Sequence, residues 1–338
     1  MRRVLLTGGV MRPNGFELGD GKHYEAAKLV RLDLDSGVAE ELLCFDQPNQ
    51  HYPSEHPNLQ FTAGCVEGDK LWLPTDTELH CYAYPGLERL RTISHPCFQN
   101  CHSVTLIDGK LIVTSTGLDL VVILDKGSGA VLEILNTDGK ETWHRFDRDT
   151  DYRLVHSTRP HDCHPNYVFQ LDGKLWVTRC TQEDAVCLRD VQVRIDVSGL
   201  KRPTSVHDGI VDGDRILFTT VDDCIVVADR RTLKIERVID LARVEGRKRP
   251  RGWCRGLLLD GQTLYVAFSR LRRTRTKSKL SWLDRFADKH PYETSSVLAV
   301  DLVGPSVIKE FLLPVGMIDA IYSILPEPST TLPQSRQS

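Results

Sequence analysis

The sequence predicts an all-β fold, a six-bladed β-propeller with four-stranded blades, and three observations carry that expectation. First, one phrase recurs at 65–73, 105–113, 170–177, 210–217 and 258–266: an apolar run, an acidic-glycine turn, and a second run rich in Val, Leu, Thr and aromatics. The spacing of the copies is roughly that of propeller blades. Second, the phrases are followed by a further pair of strand-like runs. Third, the two ends of the chain hold complementary pieces of one more unit.

Each phrase reads as a hairpin. Asp108-Gly109, Asp172-Gly173, Asp212-Gly213 and Asp260-Gly261, with Gly68-Asp69 in the first copy, supply the positive φ of a tight β-turn. The flanking residues have the β-branched and aromatic content of strands. Third and fourth strands read at 79–84 and 88–93, 119–125 and 130–135, 224–229 and 233–239, and 297–302 and 307–312. Alternation in these outer runs marks sheets with one less-buried side. The fourth blade is irregular, since 185–188 and 191–197 are joined by almost no turn.

The N-terminal unit has a second strand at 3–7, a third at 28–34 and a fourth at 38–43, but lacks an innermost strand. The run 318–325 is an innermost strand without a successor. Pairing them closes the ring and leaves no sheet edge open. The expected organisation is a single propeller over 1–325, with a polar, Pro- and Ser-rich tail at 326–338 that is expected to be disordered.

Composition narrows the function classes. The 338-residue chain carries a formal net charge of −3, which gives no global argument for nucleic acid or an anionic membrane surface, and neither is expected as a partner. No apolar stretch approaches the ~20 residues of a membrane span, and residues 1–8 are too short for a secretory signal. A cytoplasmic protein is expected. The ten cysteines are scattered, mostly at strand positions, and read as reduced core residues.

This architecture resembles the six-bladed propellers of the gluconolactonase and senescence-marker type, the paraoxonases and the NHL-repeat proteins. The resemblance covers nearly the whole chain and is one of architecture. It would imply a divalent ion held in the channel by Glu, Asn and Asp, a set with no residue-for-residue match here. The signatures of WD40 and kelch repeats are absent.

Register identifies candidate site residues. Counting back from Leu71, Leu111, Leu175, Ile216 and Leu264 aligns the starts of the inner strands, and one position later stand Thr62, His102, Asn166, His207 and Arg255. Asp319 is the corresponding residue of the closing blade. A polar ring at the channel mouth results, on the same face as the long insertions 46–58, 136–163, 242–252 and 270–295. His102, His207 and His161 are the candidate catalytic groups; Arg255, Asn166, Thr62, Asp319 and Arg159 are candidates for holding substrate.

The segment 159–166 is the most chemically dense. His161, Cys163 and His164 are potential ligands within four positions, and His102, His164 and His207 could share zinc, iron or calcium. The same imidazoles equally suit metal-free acid–base work. Asp162 and Asp208 stand beside histidines and could orient them or cap turns. Arg255 next to Cys254 could favour a thiolate, although the apolar neighbours point to an inert one. Basic residues at 246–251 and 270–279, the latter followed by a helix candidate at 280–286, would make one side of the open face positive.

Two functional readings follow. One is a hydrolase, lyase or isomerase acting on a small anionic substrate at the channel mouth, with or without a divalent metal. The other is a non-catalytic scaffold holding a protein or peptide through its loop face.

Overall fold

A computed structural model describes residues 2–200, 205–247, 251–271 and 294–328. Its strands form six separate four-stranded antiparallel sheets, each a blade. Blade 1 runs from its inner strand Ala320–Pro326 through Arg3–Met11 and Tyr24–Asp33 to Ala39–Phe45. Blades 2 to 6 follow in chain order, with inner strands Cys65–Glu67, Cys101–Ile107, Pro165–Leu171, Val206–Asp212 and Trp253–Asp260. The predicted β-propeller is therefore the observed fold, ring closure included.

The sequence accounts for each hairpin. At Asp108-Gly109 both residues lie in the left-handed region, with φ of 48° and 72°, as a two-residue turn with the right twist requires. Behind the turns, the apolar faces of neighbouring blades interdigitate. Leu217, Ile225 and Val227 of blade 5 pack on Leu264, Val266 and Leu298 of blade 6, and Val4, Leu6 and Val30 of blade 1 pack on Ala267, Val297 and Phe311. The core is a ring of such interblade layers, in keeping with the general preference for covered sheet faces.

The closing seam is a strand pair with Val4 opposite Pro326, Leu6 opposite Ile324 and Gly8 opposite Ile321. The Thr7 hydroxyl meets that of Ser323 at 2.6 Å and donates to the Thr62 carbonyl, which ties blade 1 to blade 2. The closing strand runs one residue past 325. Pro326 is the last residue of the closing strand, and Glu327 is bonded to Arg31 and Tyr84. The rest of the predicted tail, and the basic segment and helix candidate over 272–293, lie outside the described residues.

Candidate functional site

The channel-mouth residues are aimed by β-bulges. In five blades the inner strand slips register against its neighbour at the channel end. The residues passed over are His102; Asn166 and Tyr167; His207 and Asp208; Gly256; and Tyr322. A bulge leaves its extra residue unpaired and bends the strand, so it turns side chains that alternation would have fixed. A threonine of the second strand captures the freed backbone. Thr114 Oγ1 accepts from His102 N and Ser103 N, Thr178 Oγ1 from Tyr167 N, and Thr219 Oγ1 from Asp208 N. In blade 6 the bulged residue is Gly256 itself, at φ 71°, where a Cβ would meet the Ser323 backbone at 3.2 Å.

The bulges open onto a cleft of about 530 Å³, counted with the solvent at its mouth. His102, His161, His164, Arg255, Arg159 and Tyr322 are among its walls. His102 and His164 meet edge to face at 4.9 Å between ring centres, His102 and His207 lie 6.0 Å apart, and Tyr322 is 5.8 Å from His102. His161 stacks on His164, with 2.6 Å between their Nδ1 atoms, so one nitrogen carries the proton the other accepts.

Hydrogen bonds define two tautomers. Asn166 donates from Nδ2 to the Val206 carbonyl, which leaves its Oδ1 to accept from His102 Nδ1 at 2.9 Å. His102 therefore carries its proton on Nδ1 and a lone pair on Nε2. His207 Nδ1 donates to Asp208 Oδ2 at 3.2 Å, and its buried Nε2 has no partner. The same Asp208 oxygen accepts from Gly256 N and from Thr219 Oγ1. One carboxylate thus orients an imidazole and anchors the bulge that carries Arg255.

Electrostatics keep these rings neutral. Burial is the largest cause for all four: His102 and His164 are held well below the usual histidine range, His207 below it, and His161 is lowered to about 3. His207 and Arg255 push His102 further down, and Arg159 does so for His161. Arg255 is only 9% exposed, its guanidinium lies 4.5 Å from the Tyr322 ring centre, and its Nε and Nη1 have no hydrogen-bond partner.

The loop bearing His161 and His164 is held by Asp119 of blade 3. Its Oδ1 accepts from Cys163 N and His164 N at 2.9 and 2.8 Å, and its Oδ2 from Asp162 N at 2.9 Å and Arg145 Nη1 at 3.0 Å. Successive amides cradling one carboxylate form an anion nest. Burial pushes the Asp119 pKa up while those donors pull it down.

The counted ring divides in two. His102, Arg255, His161, His164 and Arg159 line the cleft; Thr62, Asn166, His207 and Asp319 do not. Asn166 and His207 stand behind it as partners. Thr62 Oγ1 bonds the Pro74 carbonyl, and Asp319 accepts from Met11 N and faces Arg270 at 3.4 Å. Tyr322 replaces Asp319 at the cleft because the closing strand bulges there, and that strand has no hairpin of its own from which to count.

Other expectations change with the contacts. Asp162 pairs with Arg145 and Lys140 rather than with a histidine. Burial pushes the Cys163 thiol up to about 12 and the Cys101 and Cys254 thiols well above their usual range, so none is poised as a thiolate. Arg247 and Arg251 are matched by Glu245, Asp223 and Glu310, which removes the charge expected from that part of the basic stretch.

The residues that register counting missed are Tyr322, Gln60, Asn58, Gln99 and the 20–24 turn, all in the cleft wall. In three blades a threonine three positions after Leu111, Leu175 or Ile216, at 114, 178 and 219, was the available signal for the bulges. Nothing comparable marked the 20–24 turn.

The suggested metal set does not fit. Among the described residues no group of three His, Cys, Asp or Glu side chains is placed to hold an ion. Arg255 also puts a cation in the same ring, close enough to lower His102 further. Calcium would also want several oxygens, which these imidazoles do not offer.

No family model matches this chain, and no curated protein does. Among solved structures it is similar to a Bacteroides caccae protein of unknown function, at 13% identity and TM-score 0.61, covering 97% of this chain and 100% of that one. A chain of a nidogen–laminin complex aligns at 12% identity and TM-score 0.56, covering 96% and 97%. A Bacteroides fragilis protein provisionally assigned as a 6-phosphogluconolactonase aligns at 13% identity and TM-score 0.52, covering 93% and 83%. At such identities the likeness is one of fold.

Proposed function

We propose that this propeller is an enzyme performing acid–base chemistry on a small anionic molecule at its channel mouth. Hydrolysis, elimination and isomerisation all need the part that His102 offers: a neutral imidazole whose Nε2 lone pair is free because Asn166 fixes the proton on Nδ1. That tautomer, in a cleft that also holds an arginine with unmatched N–H groups, is the observation that carries the reading.

In the reaction His102 Nε2 takes a proton from substrate or from an attacking water. The imidazolium so formed is steadied at Nδ1 by Asn166 Oδ1. Burial, Arg255 and His207 make that cation a strong acid, so it returns the proton readily to a leaving group. Arg255 holds the anionic group. His164, propped by His161 and the Asp119 nest, forms the wall against which His102 is set.

The test is a turnover screen of lactones, esters and small hydroxy acids, with a phosphorylated sugar lactone included because one structural neighbour carries that provisional assignment. His102→Ala should lower kcat about 10²-fold or more with the fold intact. An identified substrate turned over at the normal rate by His102→Ala would defeat the proposal.

A further inference from the structure

The hydrogen-bond inventory of the cleft narrows its ligand, on the premise that the cleft is the substrate site. Most side-chain amide donors in its wall are committed. Asn58 Nδ2 and Gln60 Nε2 both bond Asp76, at 2.8 and 3.0 Å, and Gln99 Nε2 bonds the carbonyl of Val155 at 3.2 Å. Two side chains of the wall remain buried with unmatched atoms. Arg255 offers Nε and Nη1 as donors, and Gln60, 1% exposed, offers Oε1 as an acceptor. His102 Nε2 is a second acceptor. A buried polar atom left without a partner is costly, so a ligand that satisfies both kinds at once is favoured.

Charge restricts the ligand further. Among the described residues of the wall, Arg255 and Arg159 carry two positive charges and Asp20 one negative, a net of +1, while the His102, His161 and His164 rings are held neutral. A single negative charge can be met by the Arg255 fork. A second would exceed that net charge of the described wall, and a phosphate monoester is close to a dianion at neutral pH.

We infer that the cleft binds a small monocarboxylate bearing a hydroxyl group, its carboxylate on Arg255 and its hydroxyl donating to the unmatched Gln60 Oε1. A carboxylate is complementary to either planar guanidinium edge, Nε with Nη2 or Nη1 with Nη2, and each edge holds one of the unmatched nitrogens. The cleft is within the size range of small-molecule pockets.

Calorimetric titration of the full chain with D-glycerate, propionate and glycerol 3-phosphate tests this. Glycerate should bind about tenfold more tightly than propionate, which lacks the hydroxyl, and more tightly than the phosphate ester. Arg255→Gln should weaken glycerate about tenfold or more, and Gln60→Ala should bring glycerate and propionate together. Melting curves establish that each variant is folded, and Gln60→Ala alone decides the matter should Arg255→Gln not fold. Preference for the phosphate ester, affinity unchanged in the variants, or no glycerate binding at roughly 10 mM overturns the inference. Glycerate binding without any His102-dependent turnover would defeat only the enzyme proposal. His102-dependent turnover of a phosphate ester without glycerate binding would defeat only this one.

Discussion

Replacing Asp119 by Asn tests how the His161–His164 loop is held. Asn is close in shape and tolerates the left-handed backbone at that position, where φ is 57°, so the substitution changes chemistry rather than geometry. The amide oxygen can keep Cys163 N and His164 N. The amide nitrogen would then face Asp162 N and Arg145 Nη1, two donors that Oδ2 now accepts at 2.9 and 3.0 Å. Two charge-assisted bonds at about 1.5 kcal/mol each give an expected loss of about 3 kcal/mol. Asp119 is 2% exposed, so water is poorly placed to restore them. Native-state hydrogen exchange is the direct assay. The amides of Asp162, Cys163 and His164 should exchange about 10²-fold faster, as about 3 kcal/mol implies when opening is local. The urea midpoint should fall as well if the loop opens only with the whole fold. Unchanged protection together with an unchanged midpoint would refute the claim that this carboxylate holds the loop.

Two further outcomes are expected. Six histidines, His80, His95, His102, His161, His164 and His207, have folded pKa values below the ordinary 6.5, with His80 at about 4 and His161 at about 3. The unfolded chain binds those protons first, so their contribution is present above the ordinary value and is lost as pH falls through the folded ones. Asp76 and Asp223, raised to about 6 and about 7, act in the opposite sense: their contribution is lost as pH rises through those values. The histidines outnumber them, so the urea midpoint should be lower near pH 5 than near pH 7.5, and Asp223→Asn should steepen that climb; a flat or inverted profile would count against neutral buried imidazoles. Arg255→Met should raise the melting midpoint by the equivalent of about 1 kcal/mol, because an incompletely matched buried cation gives way to an apolar chain of similar length. A lowered midpoint would mean that the Tyr322 contact stabilises Arg255 more than its burial costs.

The hairpins made most of the fold legible. Asp-Gly turns and alternating runs report local geometry, and closure followed from two incomplete units at the ends. The site was legible as far as register held. His102 and Arg255 were found because each sits at a set distance from its own hairpin. Register points to Asp319 and not to Tyr322 because a bulge adds a residue without altering composition, and the closing strand has no turn after it to show the shift. Asp162 and Asp208 looked alike beside their histidines, yet only Asp208 reaches one: it shares a bulge with His207, while the Asp162 side chain turns to Arg145 and Lys140. Gln60 and the 20–24 turn come to the cleft through packing between blades, which no local pattern encodes.

The seam in blade 1 also governs when the molecule can be finished. Thr7 and Ser323 are 316 positions apart, so the strand Arg3–Met11 waits without its inner partner while the five other blades are made. At typical elongation rates that delay is roughly 15 to 60 s. Throughout it, one edge of the first sheet is open to a neighbouring nascent chain, the exposure that closed rings otherwise avoid. Blade 6 meanwhile lacks Ile321 and Ile324, which complete the layer of Ala267, Val297 and Phe311. The Val4-to-Pro326 pairing is therefore a late checkpoint of biogenesis, and damage to it should show in the yield of folded protein before it shows at the cleft.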